Sequence, residues 1–80
     1  SEMDPIFNGK VFVITGSLQQ WDRNGLTETL ERRGAKVSSS VSTKTDVLIA
    51  GEKAGSKLSK AHNLGIEVWD EQQLSKELSE

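Results

Sequence analysis

The stretch Gly9-Lys10-Val11-Phe12-Val13-Ile14-Thr15-Gly16 decides the fold. Its centre is β-branched and aromatic, with no polar alternation. A strand with one wet face alternates apolar and polar residues, whereas a strand covered on both faces does not. Residues 11–15 therefore read as a strand buried on both sides, ended by Gly16. Asp46-Val47-Leu48-Ile49-Ala50 repeats the pattern and ends at Gly51. Two such strands predict a parallel sheet. Parallel strands need crossovers, which are usually helices.

The segments between and after them supply those helices. Asp22 suits an N-cap, with Trp21 and Leu26 placed as a hydrophobic staple. The helix runs to about Arg33, with Leu26 and Leu30 on one face, and Gly34 follows as its C′ residue. Lys36-Val37-Ser38 is a short second strand. A polar loop over 39–44 follows, with Val41 turned inward. Beyond the 46–50 strand, residues 51–55 form a loop. A second helix is expected over 56–63, with Leu58, Ala61 and Leu64 facing inward and Gly65 as its stop. Ile66-Glu67-Val68 reads as a fourth strand. Asp70 caps a last helix, Gln73 completes a capping box, and Leu74 and Leu78 form its apolar stripe. The order is β-α-β-β-α-β-α, an α/β domain with helices on both faces of a mostly parallel sheet.

Eighty residues make one domain at most. Residues 1–7 are expected to be leader, 8–78 the domain and 79–80 a tail. The chain has no cysteine, which removes disulfides and thiolate zinc sites. It has neither a signal-peptide pattern nor an apolar run near the roughly 20 residues of a membrane span. A cytoplasmic protein without a membrane partner is the expectation. The net charge of −2 argues against strong nonspecific DNA binding. Yet residues 32–60 hold seven basic and two acidic side chains, flanked by acidic segments. That basic middle is either a face for an anionic partner or a set of solvated lysines.

Open parallel sheets bind ligands beyond the carboxyl ends of their strands. Thr15-Gly16-Ser17 ends the first strand, and residues 51–55 lead from the third strand into a helix opening at Ser56-Lys57. If these strands are neighbours, their loops face each other across a crevice. Gly16 would let the backbone approach an oxyanion, Thr15 offers a hydroxyl, and the helix start offers unpaired N–H groups. Lys57 and Arg23 are cations in the first turns of their helices, the unfavourable end for positive charge. A bound anion would offset that cost. The alternatives are a plain strand-end turn, a loop hinge and solvated side chains.

No catalytic set is legible. His62 has no cysteine to pair with, and neither a Walker A loop nor a G-x-G-x-x-G fingerprint is present. Asp46 and Glu52 near the loops suggest a magnesium site, but two carboxylates without geometry are poor evidence for one. Trp21 and Trp69 suit packing better than base stacking.

Four segments in order resemble the BRCT family: residues 9–18, Arg33-Gly34-Ala35-Lys36-Val37, residues 40–51, and Ala54-Gly55-Ser56-Lys57-Leu58-Ser59-Lys60-Ala61 followed by Leu64-Gly65-Ile66. The last is most similar to the domain at the C-terminal end of bacterial NAD-dependent DNA ligases. The large subunit of replication factor C carries a similar domain. The resemblance implies a four-stranded parallel sheet in order 2-1-3-4, with the first and third helices on one face and the second on the other. It implies a phosphate held by Thr15, Gly16 and Lys57. Arg23 matches a basic residue that meets a DNA 5′-phosphate, with Ser17, Lys53 and Lys60 as further contacts. The implied function is that of a non-catalytic accessory domain binding nicked or 5′-phosphorylated DNA. The alternative is a module for a phosphopeptide or for another domain of the parent protein. NAD and magnesium would belong to other domains of a parent ligase, and no cofactor is expected here. Two features depart from the family. Gln73-Leu74 stands where many members carry a tryptophan, and Lys44-Thr45-Asp46-Val47 is not the ligase K-x-D-G motif.

Overall fold

The computed structural model describes residues 7–78. It contains β1 (Val11–Thr15), α1 (Arg23–Arg32), β2 (Lys36–Ser38), β3 (Val47–Ala50), α2 (Ser56–Leu64), β4 (Glu67–Trp69) and α3 (Glu71–Leu78). The strands form one parallel sheet in order β2-β1-β3-β4. The expected element order and sheet order both hold.

Side chains alternate across the sheet and so build two cores. Phe12 and Ile14 of β1, with Val47 and Ile49 of β3, face Leu26 and Leu30 of α1 and Leu74 and Leu78 of α3. Val13 and Leu48, one residue out of phase, face Ala61 and Leu58 of α2 together with Val41. The first and third helices therefore share one face and the second covers the other. The larger core is anchored by rings. Phe7 stacks on Phe12 at 5.4 Å, and Trp69 meets both edge-on. Phe7, expected in the leader, is fully buried. The rest of the expected leader, residues 1–6, and the tail, 79–80, lie outside the described residues.

Capping accounts for the helix limits. Asp22 accepts a hydrogen bond from the Gly25 N–H at 2.6 Å, and Asp70 accepts one from the Gln73 N–H at 2.8 Å. α1 and α2 close in Schellman turns: Ala35 N–H donates to Leu30 O, and Ile66 N–H to Ala61 O. Three details differ from expectation. The Gln73 side chain donates to Glu77 at 2.6 Å, so the capping box at Asp70 is only half made. Leu64 is 40% exposed, because Ala61 fills the inner contact and the chain reverses at once through Gly65. β4 starts one residue later than expected, which brings Trp69 into the strand and its ring into the core.

Candidate functional site: a cationic cleft at the sheet edge

β1 and β3 are neighbours, but their loops do not leave the crevice expected between them. Ser17 and Glu52 exchange two backbone hydrogen bonds of 2.9 Å, an isolated antiparallel bridge that zips the loops shut. Gly51 N–H also donates to Thr15 O at 2.8 Å. The glycines exist for this closure. A Cβ on Gly51 would lie 2.4 Å from Ser17 O, and one on Gly16, whose φ is +80°, would lie 2.7 Å from Glu52 O. Gly16 thus needs its bare Cα to approach the Glu52 backbone. Thr15 is 6% exposed, and its hydroxyl donates to Ala54 O at 3.2 Å.

Two of the expected site residues do meet. Arg23 and Lys57 line a cleft of about 180 Å³ with Ile14, Thr27, Val37, Ser38 and Ser39. The cleft lies on the β2 side of β1, beyond the strands' carboxyl ends. α1 delivers Arg23 at its first residue, and α2 delivers Lys57 at its second. Each cation is lightly held. Arg23 Nη2 donates to Ile14 O at 3.4 Å, a long contact, and Lys57 Nζ donates to Ser39 O at 2.9 Å. An ammonium has three donors and a guanidinium five, so most remain unused. No carboxylate among the described residues lies within ion-pair distance of either. Neither helix has an acidic residue in its first turn. α2 also lacks a side-chain cap, since Gly55 stands at its N-cap. At α1 the Asp22 cap already meets part of this demand, whereas at α2 positive charge and uncapped N–H groups gather where a bound anion would offset them.

The other expected contacts fall away from this cleft. Ser17 is committed to the bridge through its backbone, and its side chain is exposed. Lys53 is exposed on the 51–55 loop in left-handed conformation, φ +58°. Lys60 is exposed on α2 and does not line the cleft. Thr27, Ser38 and Ser39 were not expected. The signal for the serines was the polar run Ser38-Ser39-Ser40 just past β2, and only the position of β2 beside β1 brings it to Lys57. Asp46 and Glu52 sit at opposite ends of β3: Asp46 Oδ2 accepts from Val11 N–H at 2.8 Å, while Glu52 pairs with Ser17. They cannot share a magnesium ion. His62 is exposed in the last turn of α2.

A second cleft, of about 350 Å³, opens beyond β3 and is lined by Gln19, Glu52, Asp70 and Glu71 among others. Its carboxylates are occupied. Glu71 accepts from the N–H groups of Gln19 and Gln20, and Glu52 accepts from Gln19 Nε2 at 3.3 Å.

Comparison with known proteins agrees with the fold. The family model for the BRCA1 C Terminus (BRCT) domain matches residues 3–76. Among solved structures, the chain resembles the S. pombe Rad4 BRCT3,4 structure at 21% identity and a TM-score of 0.79, covering 94% of this chain and 43% of that one. It also resembles Rad4 BRCT1,2 in complexes with a Mdb1 phosphopeptide and a Crb2 phosphopeptide, both at 20% identity and a TM-score of 0.78 over 94% of this chain and 41% of theirs. At such identity the likeness shows the fold, and this chain spans about two fifths of the Rad4 chains. With the family match over nearly its whole length and the β2-β1-β3-β4 sheet it requires, the chain belongs to the BRCT family.

Proposed function

We propose that this chain is a docking module that reads a phosphorylated side chain on a partner protein, with Arg23 and Lys57 as its phosphate-holding pair. One observation carries the reading: a guanidinium and an ammonium from two helix starts line one cleft, and neither is ion-paired with a carboxylate among the described residues. The guanidinium fork suits two phosphate oxygens at once, and the ammonium adds a point charge. Thr15 joins only if its hydroxyl leaves Ala54 O. The phosphopeptides bound in the two Rad4 complexes favour a protein ligand over a nucleic acid. With two cations the affinity is modest and salt-sensitive. A phosphoserine loses its second charge below about pH 6, so binding weakens as the pH falls through that value.

A second reading is supported by Arg23 and by the basic segment 32–60. In it the same cleft takes the 5′-phosphate of nicked or broken DNA, and the chain serves as accessory domain of an NAD-dependent DNA ligase. NAD and magnesium chemistry then belongs to other domains of that enzyme. Base specificity is not expected, since phosphate contacts position without reading sequence.

Fluorescence anisotropy separates the readings. The labelled probe is a phosphoserine peptide, compared with its unphosphorylated twin and competed with duplex DNA carrying or lacking a 5′-phosphate. Binding that needs the peptide phosphate and fails in Lys57→Ala is the expected result. Stronger competition by the 5′-phosphorylated duplex than by unlabelled phosphopeptide moves the assignment to DNA. Binding indifferent to phosphate and to Lys57 removes both readings.

A further inference from the structure

The cleft has a serine of its own on its rim. Ser39 is exposed, lines the cleft with Arg23 and Lys57, and its carbonyl oxygen is the atom that Lys57 Nζ contacts at 2.9 Å. Its neighbours are partly engaged. Ser38 Oγ donates to Ser40 O at 3.4 Å and accepts from Ser40 N–H at 3.3 Å, and Ser42 Oγ accepts from Lys44 N–H. The Ser39 hydroxyl has no partner among the described residues. It sits in the 39–46 loop after β2, in which Ser39, Ser40, Ser42, Thr43 and Lys44 are exposed.

We infer that Ser39 is a phosphorylation site whose phosphate occupies the cationic cleft of the same chain and shuts it to ligands. The reaction is phosphoryl transfer by a protein kinase from a nucleoside triphosphate. Ser39 Oγ forms the new bond to the γ-phosphorus, the bond to the β,γ-bridging oxygen breaks, the nucleoside diphosphate leaves, and the hydroxyl proton passes to the kinase's base. The product places two negative charges on a residue whose backbone already touches Lys57. A group tethered this closely acts at millimolar effective concentration, above what a partner supplies in solution. The cations left spare at the helix starts would then be satisfied within the chain. This rests on the phosphate-holding role of Arg23 and Lys57, and the experiment reads the two claims separately.

Phosphoserine is installed at position 39, or at the exposed Ser59 as control, and the ³¹P resonance is titrated with pH. The midpoint at position 39 is expected about 0.5 pH lower than at 59, because nearby cations favour the dianion, and the difference is expected to vanish in Lys57→Ala. Affinity for the phosphoserine peptide is expected to fall about tenfold with phosphate at 39 and little with phosphate at 59. Equal midpoints at the two positions overturn the inference, even if peptide binding weakens, since simple repulsion then suffices. A Lys57-dependent midpoint in a chain that binds no phosphopeptide upholds the inference and removes the partner-reading function. A circular dichroism melt checks that each variant is folded.

Discussion

Two clefts among the described residues, one lined by Arg23 and Lys57 and one by Glu52, Asp70 and Glu71, have opposite charge and opposite degrees of satisfaction. In the acidic cleft, Glu71 receives two backbone N–H groups of the loop before α1, Asp70 caps α3, and Glu52 receives the Gln19 amide. These carboxylates do structural work on their own chain. In the cationic cleft, Arg23 and Lys57 each meet one carbonyl and keep most of their donors. Charge that the backbone already satisfies holds the fold. Charge left with spare donors is where a ligand gains.

Substitutions that break or sharpen this contrast rank by expected effect. Gly51→Ala is the most damaging, because its Cβ collides with Ser17 backbone and opens the bridge that borders the acidic cleft. A loss of about 2–4 kcal/mol is expected. Thermal denaturation should show a fall of more than about 10 °C for a domain of this size. Glu71→Ala comes next. It strips the acceptor from two N–H groups and should cost about 1–2 kcal/mol in a urea melt while leaving phosphopeptide affinity within about twofold. Lys57→Ala and Arg23→Ala should do the reverse. Stability should stay within about 0.5 kcal/mol, and affinity should fall about five- to tenfold for each by anisotropy. The smallest effect is expected from Thr15→Val. It loses one hydrogen bond to Ala54 O, costing about 0.5–1 kcal/mol, and leaves phosphopeptide affinity unchanged. A large loss of affinity in Thr15→Val would show that the hydroxyl turns to the ligand.

The legibility of each part in sequence follows from the range of the forces involved. The apolar runs at 11–14 and 47–50 announced a sheet covered on both faces, because burial on both sides leaves its mark on successive residues of a strand. Asp22, Asp70, Gly34 and Gly65 announced the helix limits, because capping acts within a few residues. Arg23 and Lys57 were legible as cations at the wrong ends of helices. Which residues they meet was not legible. The Ser17–Glu52 bridge joins loops 35 residues apart and turns Gly16 and Thr15 toward backbone. Ser38 and Ser39 reach the cleft only because β2 pairs beside β1. Such contacts depend on tertiary register, which local pattern does not encode. Phe7 was missed for the same reason, since one aromatic residue ahead of a strand carries no periodicity.

On the proposed function, the cationic cleft and not the acidic one is the binding surface. The most direct measurement is a ¹H–¹⁵N NMR titration of the chain with a phosphoserine peptide and its unphosphorylated twin. Phosphate-dependent shifts are expected at Arg23, Thr27, Ser38, Ser39 and Lys57, with the amides of Glu52, Asp70 and Glu71 unmoved. Shifts centred on the acidic cleft, or the same shifts with both peptides, would contradict it.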